Sequence, residues 1–186
     1  MSNENTRLVT PKGRLIFDRN LFEADEKKGK FSAAMLIPAG ENFDALLALC
    51  MEKANEKWPK GLPAGMKLPV KDTDPNKHEE HPHMAGMKIL NAGTKFNVGV
   101  IDTNHAPVLR EDIKAGDDVR FSVSAWCYDV DGNRGVALNL HAVLKEGNNE
   151  AFTAKASASD MFAGFTSGEA TQGAPAAEGN FDSFGF

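Results

Sequence analysis

Two stretches alternate apolar and polar positions with a period of two. They are "DVRFSVSAWCYD" (118–129) and "GVALNLHAVLKE" (135–146), with a "DGN" turn (131–133) between them. That period marks half-buried strands, and an Asp-Gly turn between two such runs predicts a hairpin. Val119, Phe121, Val123, Ala125 and Cys127 share one face of the first strand, which is expected to enter the core. In the second, Val136, Leu138, Leu140, Ala142 and Leu144 are expected to point inward, opposite Ala137, Asn139, His141 and Val143.

Earlier in the chain, "GRLIFDRNLFEA" (13–24) and "KFSAAMLIP" (30–38) are apolar runs joined by the charged turn "DEKKG". They predict a second hairpin, with Gly29 supplying turn freedom. The pattern then changes to three- and four-residue spacing at Phe43, Leu46, Leu47, Cys50, Met51, Ala54 and Trp58. This is one face of a helix over about residues 42–58, with Asn42 as N-cap and Pro59 as its stop. Residues 59–86 hold five of the nine prolines and three of the five histidines without periodicity, which predicts a long loop. "MKILNAG" and "KFNVGVID" (87–102) supply further strands.

About five strands, one inserted helix and a small all-β core fit a mainly β, five-stranded OB-fold-like barrel. On pattern alone, an unrelated barrel or sandwich stays open. From residue 157 the chain is rich in Ser, Ala, Gly and Thr and keeps no period. Such a stretch buries too little surface to offset its ordering entropy. The expected organisation is a folded body, 1–156, and a flexible acidic tail, 157–186.

Charge sharpens that division. The net charge of −5 argues against a nucleic-acid binder until its distribution is seen. All 21 Lys and Arg lie at or before Lys155, while four of the 26 acids (Asp160, Glu169, Glu178 and Asp182) lie beyond it. The body is nearly neutral and can carry a basic groove. No apolar run is long enough to span a bilayer, and "MSNENTRLVTPKGR" has no signal-peptide core. Cys50 and Cys127 sit in apolar patterns, so reduced, buried thiols in a cytoplasmic protein are expected.

The polar face of 119–128 carries Arg120, Ser122, Ser124, Trp126 and Tyr128. A cation, hydroxyls and large aromatics on one strand face suit single-stranded nucleic acid, through phosphate contact and base stacking. Strand aromatics are more often structural, and Trp126 and Tyr128 could equally pack under a loop or at a dimer contact. Lys30 and Phe31, at the end of the first hairpin turn, are further candidates for DNA binding, as are Lys67, Lys71, Lys77, Lys88 and Lys95 around the long loop and after it. The competing reading is that these lysines are solvated charges.

"HEEHPH" offers His78, His81 and His83 with Glu79 and Glu80 as metal ligands, and with them a metal-dependent nuclease or hydrolase. No second ligand cluster accompanies it, and Pro82 prevents a regular helix. Asp129, Asp131 and Gly132 begin like a calcium loop, but Leu140 stands where the closing glutamate belongs. No phosphate-cradling or nucleophile-elbow motif occurs. No metal, cofactor or catalytic residue is expected.

"GRLIFDRNLFEA", the lysine-rich turn and "KFSAAMLIP" together resemble the opening of a family of single-stranded DNA-binding proteins of bacterial viruses. "LPVKDTD" (68–74) is similar to that family's "LP-x-(K/R)-D-G-D", with Thr73 in place of the usual glycine. "VRFSVSAWCYDVDGNRGVALNLHAVLKEG" resembles its late hairpin. The match covers about residues 12–150. It implies an OB-fold without enzymatic activity, acting on single-stranded DNA in the virus's replication and recombination, and so in the bacterial host cytoplasm. An acidic C-terminus with a final aromatic recurs in replication-type single-strand binders. Phe181, Asp182, Phe184 and Phe186 are therefore expected to recruit replication or recombination proteins. A homodimer is left open. The third reading is a protein-interaction adaptor that works through this tail without DNA.

Overall fold

The structure, a computed structural model, describes residues 6–17, 19–149 and 152. The expected tail, 157–186, lies outside the described residues. The strands are β1 (Leu8–Val9), β2 (Gly13–Phe17), β3 (Phe31–Pro38), β4 (Val70–Asp72), β5 (Met87–Thr94), β6 (Gly99–Asp102), β7 (Asp118–Val130) and β8 (Asn133–Gly147). Two α-helices, α1 (Arg19–Phe22) and α2 (Asp44–Lys57), interrupt them.

Strand β2 pairs with β3, β3 with β5, β5 with β8, β8 with β7, and β7 returns to β2. Five strands thus form a ring, with α2 inserted between β3 and β5, as the OB-fold expectation required. The ring is not a uniform barrel. It joins β2 to β7 through Gly13↔Val119 and Arg14↔Asp118, and β5 to β8 through one parallel pair, Gly93↔Asn139. One edge of β8 runs along β7; the other is covered in turn by Lys67, Gly93 and β6.

The inward residues of β2, β3, β5, β7 and β8 meet in one core, where Leu15, Met35, Leu90, Val119, Phe121 and Val143 are all 0 % exposed. Each such side chain contributes about 1.5–3 kcal/mol on burial. Helix α2 packs Leu46, Leu49, Cys50 and Ala54 into it. The buried stripe runs through Leu49, which the spacing argument omitted, while Leu47, Met51 and Trp58 are half-buried at its margin. The helix is capped at Phe43, so Asn42, the expected cap, lies one position outside it, and its side chain accepts from Asp44 N at 2.7 Å. Burial pushes the Cys50 thiol up to about 11 with help from Cys127; both cysteines are free, and Cys127 is only half-buried.

Three expectations change. The 13–24 run is not one strand, because α1 turns the chain after Phe17. The Asp25 carboxylate then accepts from Lys27 N and Lys28 N, building the turn into β3. In β8 the inward set reverses. Val123 lies opposite Leu140, but Ser122 lies opposite Ala142, leaving His141 as an extra residue. This bulge shifts the phase, so Val143 is buried and Ala142 and Leu144 are not. The 59–86 segment, expected as a loop, contains β4 and is tied down at Thr73. That side chain is 6 % exposed and bonds His78 Nε2, Met84 O and Met87 O.

A second apolar cluster covers the other side of β2–β3–β5. Ile16, Ala34 and Leu36 pack there against Met84, Met87, Ile89 and Phe152. His83 stacks on the Phe152 ring at 4.2 Å between centroids, and the Arg14 guanidinium lies 4.3 Å from that ring's centre.

Candidate nucleic-acid interface

A groove of about 920 Å³ lies over the junction of β5 and β8. Its floor is Asn91–Thr94 and Ala137–His141. One wall comes from Asn20 of α1 and the turn into β3, with Asp25, Lys28, Lys30, Phe31 and Ser32. The break in the 13–24 run is therefore what builds that wall. The opposite side comes from Lys95, Phe96 and Asn97, beyond β5, and from Trp126 of β7.

Three aromatic rings reach this space. Phe96 is 80 % exposed and Trp126 41 %, while Phe31 is half-buried. Exposing an aromatic ring to this degree forgoes burial, which makes the rings available for stacking. Three cations join them. Among the described residues Lys28, Lys30 and Lys95 enter no ion pair, and all are exposed. Among the described residues Asp25 is the one acid on the lining, and its carboxylate is engaged by the turn. Asn20, Asn91, Asn97 and Asn139 add amide donors and acceptors.

His141, the bulge residue, is held from below. Its Nε2 lies 2.8 Å from Oγ of Ser124, which is 1 % exposed. Burial lowers the His141 pKa, and Arg7 lowers it further, so the ring enters the groove neutral near pH 7.

Of the residues expected from sequence to bind DNA, the groove brings together Lys30, Phe31, Lys95 and Trp126. Arg120 is elsewhere: its Nε donates to Glu146 at 2.6 Å and an Nη to Thr10 O at 3.3 Å. Lys88 is paired with Asp72 at 2.5 Å. Lys67, Lys71 and Lys77 are exposed but do not line the groove. Tyr128 sits beside Trp126, with ring centroids 6.1 Å apart, also off the lining. Phe181, Asp182, Phe184 and Phe186 lie outside the described residues. Lys28, Phe96 and His141 were not singled out from sequence. For Phe96 the available signal was an aromatic directly after Lys95, a residue already among the candidates.

The histidine loop is differently employed. His78 bonds Thr73, His83 stacks on Phe152, and His81 lies 5.6 Å from His83 between ring centroids. Among the described residues no three His, Cys, Asp or Glu side chains are grouped to hold an ion. No helix among them is long and apolar enough to cross a membrane.

Ring order, parallel closure and groove define the class of the protein as an OB-type barrel with an open aromatic and cationic cleft. Residues 6–175 match the family described as "Enterobacter phage Enc34, ssDNA-binding protein", and the chain belongs to that family. No curated protein matches the chain in sequence. Among solved structures, the single-stranded DNA-binding protein from bacteriophage Enc34 is similar at a TM-score of 0.64 and 19 % identity, over 84 % of this chain and 89 % of that one. The Enc34 protein in complex with ssDNA gives 0.64 and 20 %, over 81 % and 91 %. The single-stranded DNA binding protein gp2.5 of bacteriophage T7 gives 0.55 and 12 %, over 80 % and 96 %. At these identities the likeness shows the fold.

Proposed function

We propose that this protein binds single-stranded DNA in the groove over the β5–β8 junction and catalyses no reaction on it. The observation that carries this is the convergence on one open cleft of Phe31, Phe96 and Trp126 with Lys28, Lys30 and Lys95, which enter no ion pair among the described residues. Stacking accepts any base, and the ammonium groups meet phosphates without reading sequence. Exposed Lys67, Lys71 and Lys77 add a weaker long-range attraction. Arg120 and Lys88, neutralised by carboxylates, add little. Membership in the Enc34 family supports the reading, since an Enc34 protein has been solved with ssDNA.

The biological role follows from that binding. The protein covers and organises single strands of a bacterial virus during replication and recombination in the host cytoplasm. The acidic tail, with Phe181, Asp182, Phe184 and Phe186, recruits the partner proteins. Titration of tryptophan fluorescence with single- and double-stranded oligonucleotides, without divalent metal, tests the core of this. Quenching by single strands is the expected result. No quenching and no binding by single strands, or strand cleavage that requires metal, would refute it.

A further inference from the structure

Tyr128 stands directly opposite Gly135 in the β7–β8 ladder. A Cβ at position 135 would lie 2.6 Å from the Tyr128 hydroxyl oxygen, 2.8 Å from its Cζ and 2.5 Å from Lys67 O. The phenol ring therefore occupies the space a side chain at 135 would fill. Backbone from the long loop closes the same space: Lys67 N donates to Arg134 O at 3.0 Å, and Lys67 O accepts from Val136 N at 2.8 Å. These two bonds straddle Gly135. Tyr128 is thus wedged between a glycine and a paired backbone segment, an arrangement that leaves its ring little freedom.

Trp126 lies two residues back on the same strand face, opposite Ala137. The two rings are 6.1 Å apart with their planes at 59°, a tilted contact within the range of favourable aromatic pairs. Two large aromatics are thereby seated over two small residues, Ala137 and Gly135. Trp126 reaches the groove and Tyr128 does not.

We infer that Tyr128 is a positioning residue, which the Lys67 segment locks onto Gly135 so that it holds the Trp126 indole in place for stacking on a base. This rests on the groove reading above and deepens it. The 59–69 part of the long loop then serves to brace the hairpin that carries the stacking residue. Fixing one large side chain before binding removes an ordering cost that corresponds to about 3- to 10-fold in affinity.

The test uses the full chain carrying Trp58→Phe, so that Trp126 is the one tryptophan. Tyr128→Phe and Tyr128→Leu are made with Trp126 intact and with Trp126→Ala. Affinity is read by anisotropy of a labelled deoxythymidine oligonucleotide. Tyr128→Phe keeps the ring and should bind within about twofold of the parent. Tyr128→Leu should lose about 3- to 10-fold, show new nanosecond motion of Trp126, and cost nothing further once Trp126 is alanine. An equal loss in the Trp126→Ala background, or no loss at all, would overturn the inference. If Tyr128→Leu does not fold, Tyr128→Met takes its place with the same expectations. Free nanosecond rotation of Trp126 in the parent protein would by itself overturn it. Wild-type affinity of Trp126→Ala would refute the groove reading instead.

Discussion

Gly93 of β5 faces Asn139 of β8, and this one parallel pairing both closes the ring and floors the groove. A Cβ at Gly93 would stand 3.1 Å from the Phe31 carbonyl oxygen and 3.6 Å from the Ser32 Cβ. Gly93→Val should therefore crowd the start of β3 and fill the floor. We expect single-strand affinity to fall at least tenfold, about 1.4 kcal/mol, in oligonucleotide titrations. Asn139→Ala keeps the backbone pairing and should cost less. Equal affinity of Gly93→Val and wild type would show that the strand takes another path.

Salt dependence separates the lysines. Each phosphate neutralised on a single strand contributes about −0.7 to the slope of log affinity against log salt. Alanine at Lys28, Lys30 or Lys95 should flatten the slope by about that amount each. Lys88→Ala and Arg120→Ala should leave it nearly unchanged, since both cations already face carboxylates. Arg120→Ala should instead lower the thermal midpoint, because Glu146 loses its partner and the tie to Thr10 is cut.

These two groups of cations look alike in sequence. Arg120 lies opposite Leu144 in the ladder, and its carboxylate partner is the diagonal neighbour Glu146. Lys88 lies opposite Asp72. Cross-strand partners become visible once register is known, and register is what periodicity leaves undetermined. The strand cores and α2 were legible because a period of two or of 3.6 survives in the residue pattern. The bulge at His141 was not, since an inserted residue leaves no mark in "LNLHAV" beyond a shift of phase. Trp126 was legible as a large aromatic on a polar face. Phe96 was missed because "KFNVGVID" reads as one strand, whereas the chain bends at Lys95 and Phe96 and β6 begins only at Gly99.

Stacking should appear as the salt-resistant part of binding. Phe96→Ala removes a ring that is 80 % exposed, so the fold should be unaffected. Its affinity should fall by about 1–3 kcal/mol at low and high salt alike, as should that of Trp126→Ala. A Phe96→Ala loss that vanishes at high salt would mean that Phe96 only positions Lys95.

The Phe152 stack should make stability depend on pH. Burial lowers the His83 pKa below its ordinary 6.5, and His81 and Arg14 lower it further. The folded state thus prefers the neutral imidazole. Between the folded and unfolded values the unfolded chain binds more protons, so stability rises with pH in that window. The contribution is complete above 6.5 and is lost as pH falls through 6.5 towards the lower, folded value. His83→Phe keeps a ring on Phe152 and removes the titration. Denaturant melts of wild type and His83→Phe should diverge as pH falls from about 7 to about 5, wild type losing more. Parallel curves would place the pH sensitivity elsewhere.

The last prediction concerns the tail. Phe152 is fixed on β2–β3–β5, and the β3–β5 pair of that sheet also supplies Ser32, Asn91 and Gly93 to the groove. Residues 157–186 follow with four acids and no base. On the proposed reading these acids, carried on the same chain as Lys28, Lys30 and Lys95, compete with phosphate for those cations through effective concentration. Truncation after Gly168 should therefore raise single-strand affinity, most at low salt, where screening is weakest. Deleting Phe186 alone removes no side-chain carboxylate, so it should leave DNA affinity unchanged while weakening the proposed capture of replication proteins, because an aromatic side chain is what an apolar pocket would hold. Anisotropy titrations at two salt concentrations read the first effect, and co-purification with those proteins reads the second. Equal affinity of truncated and full-length protein at low salt would remove the competition, and unchanged co-purification would remove the recruitment.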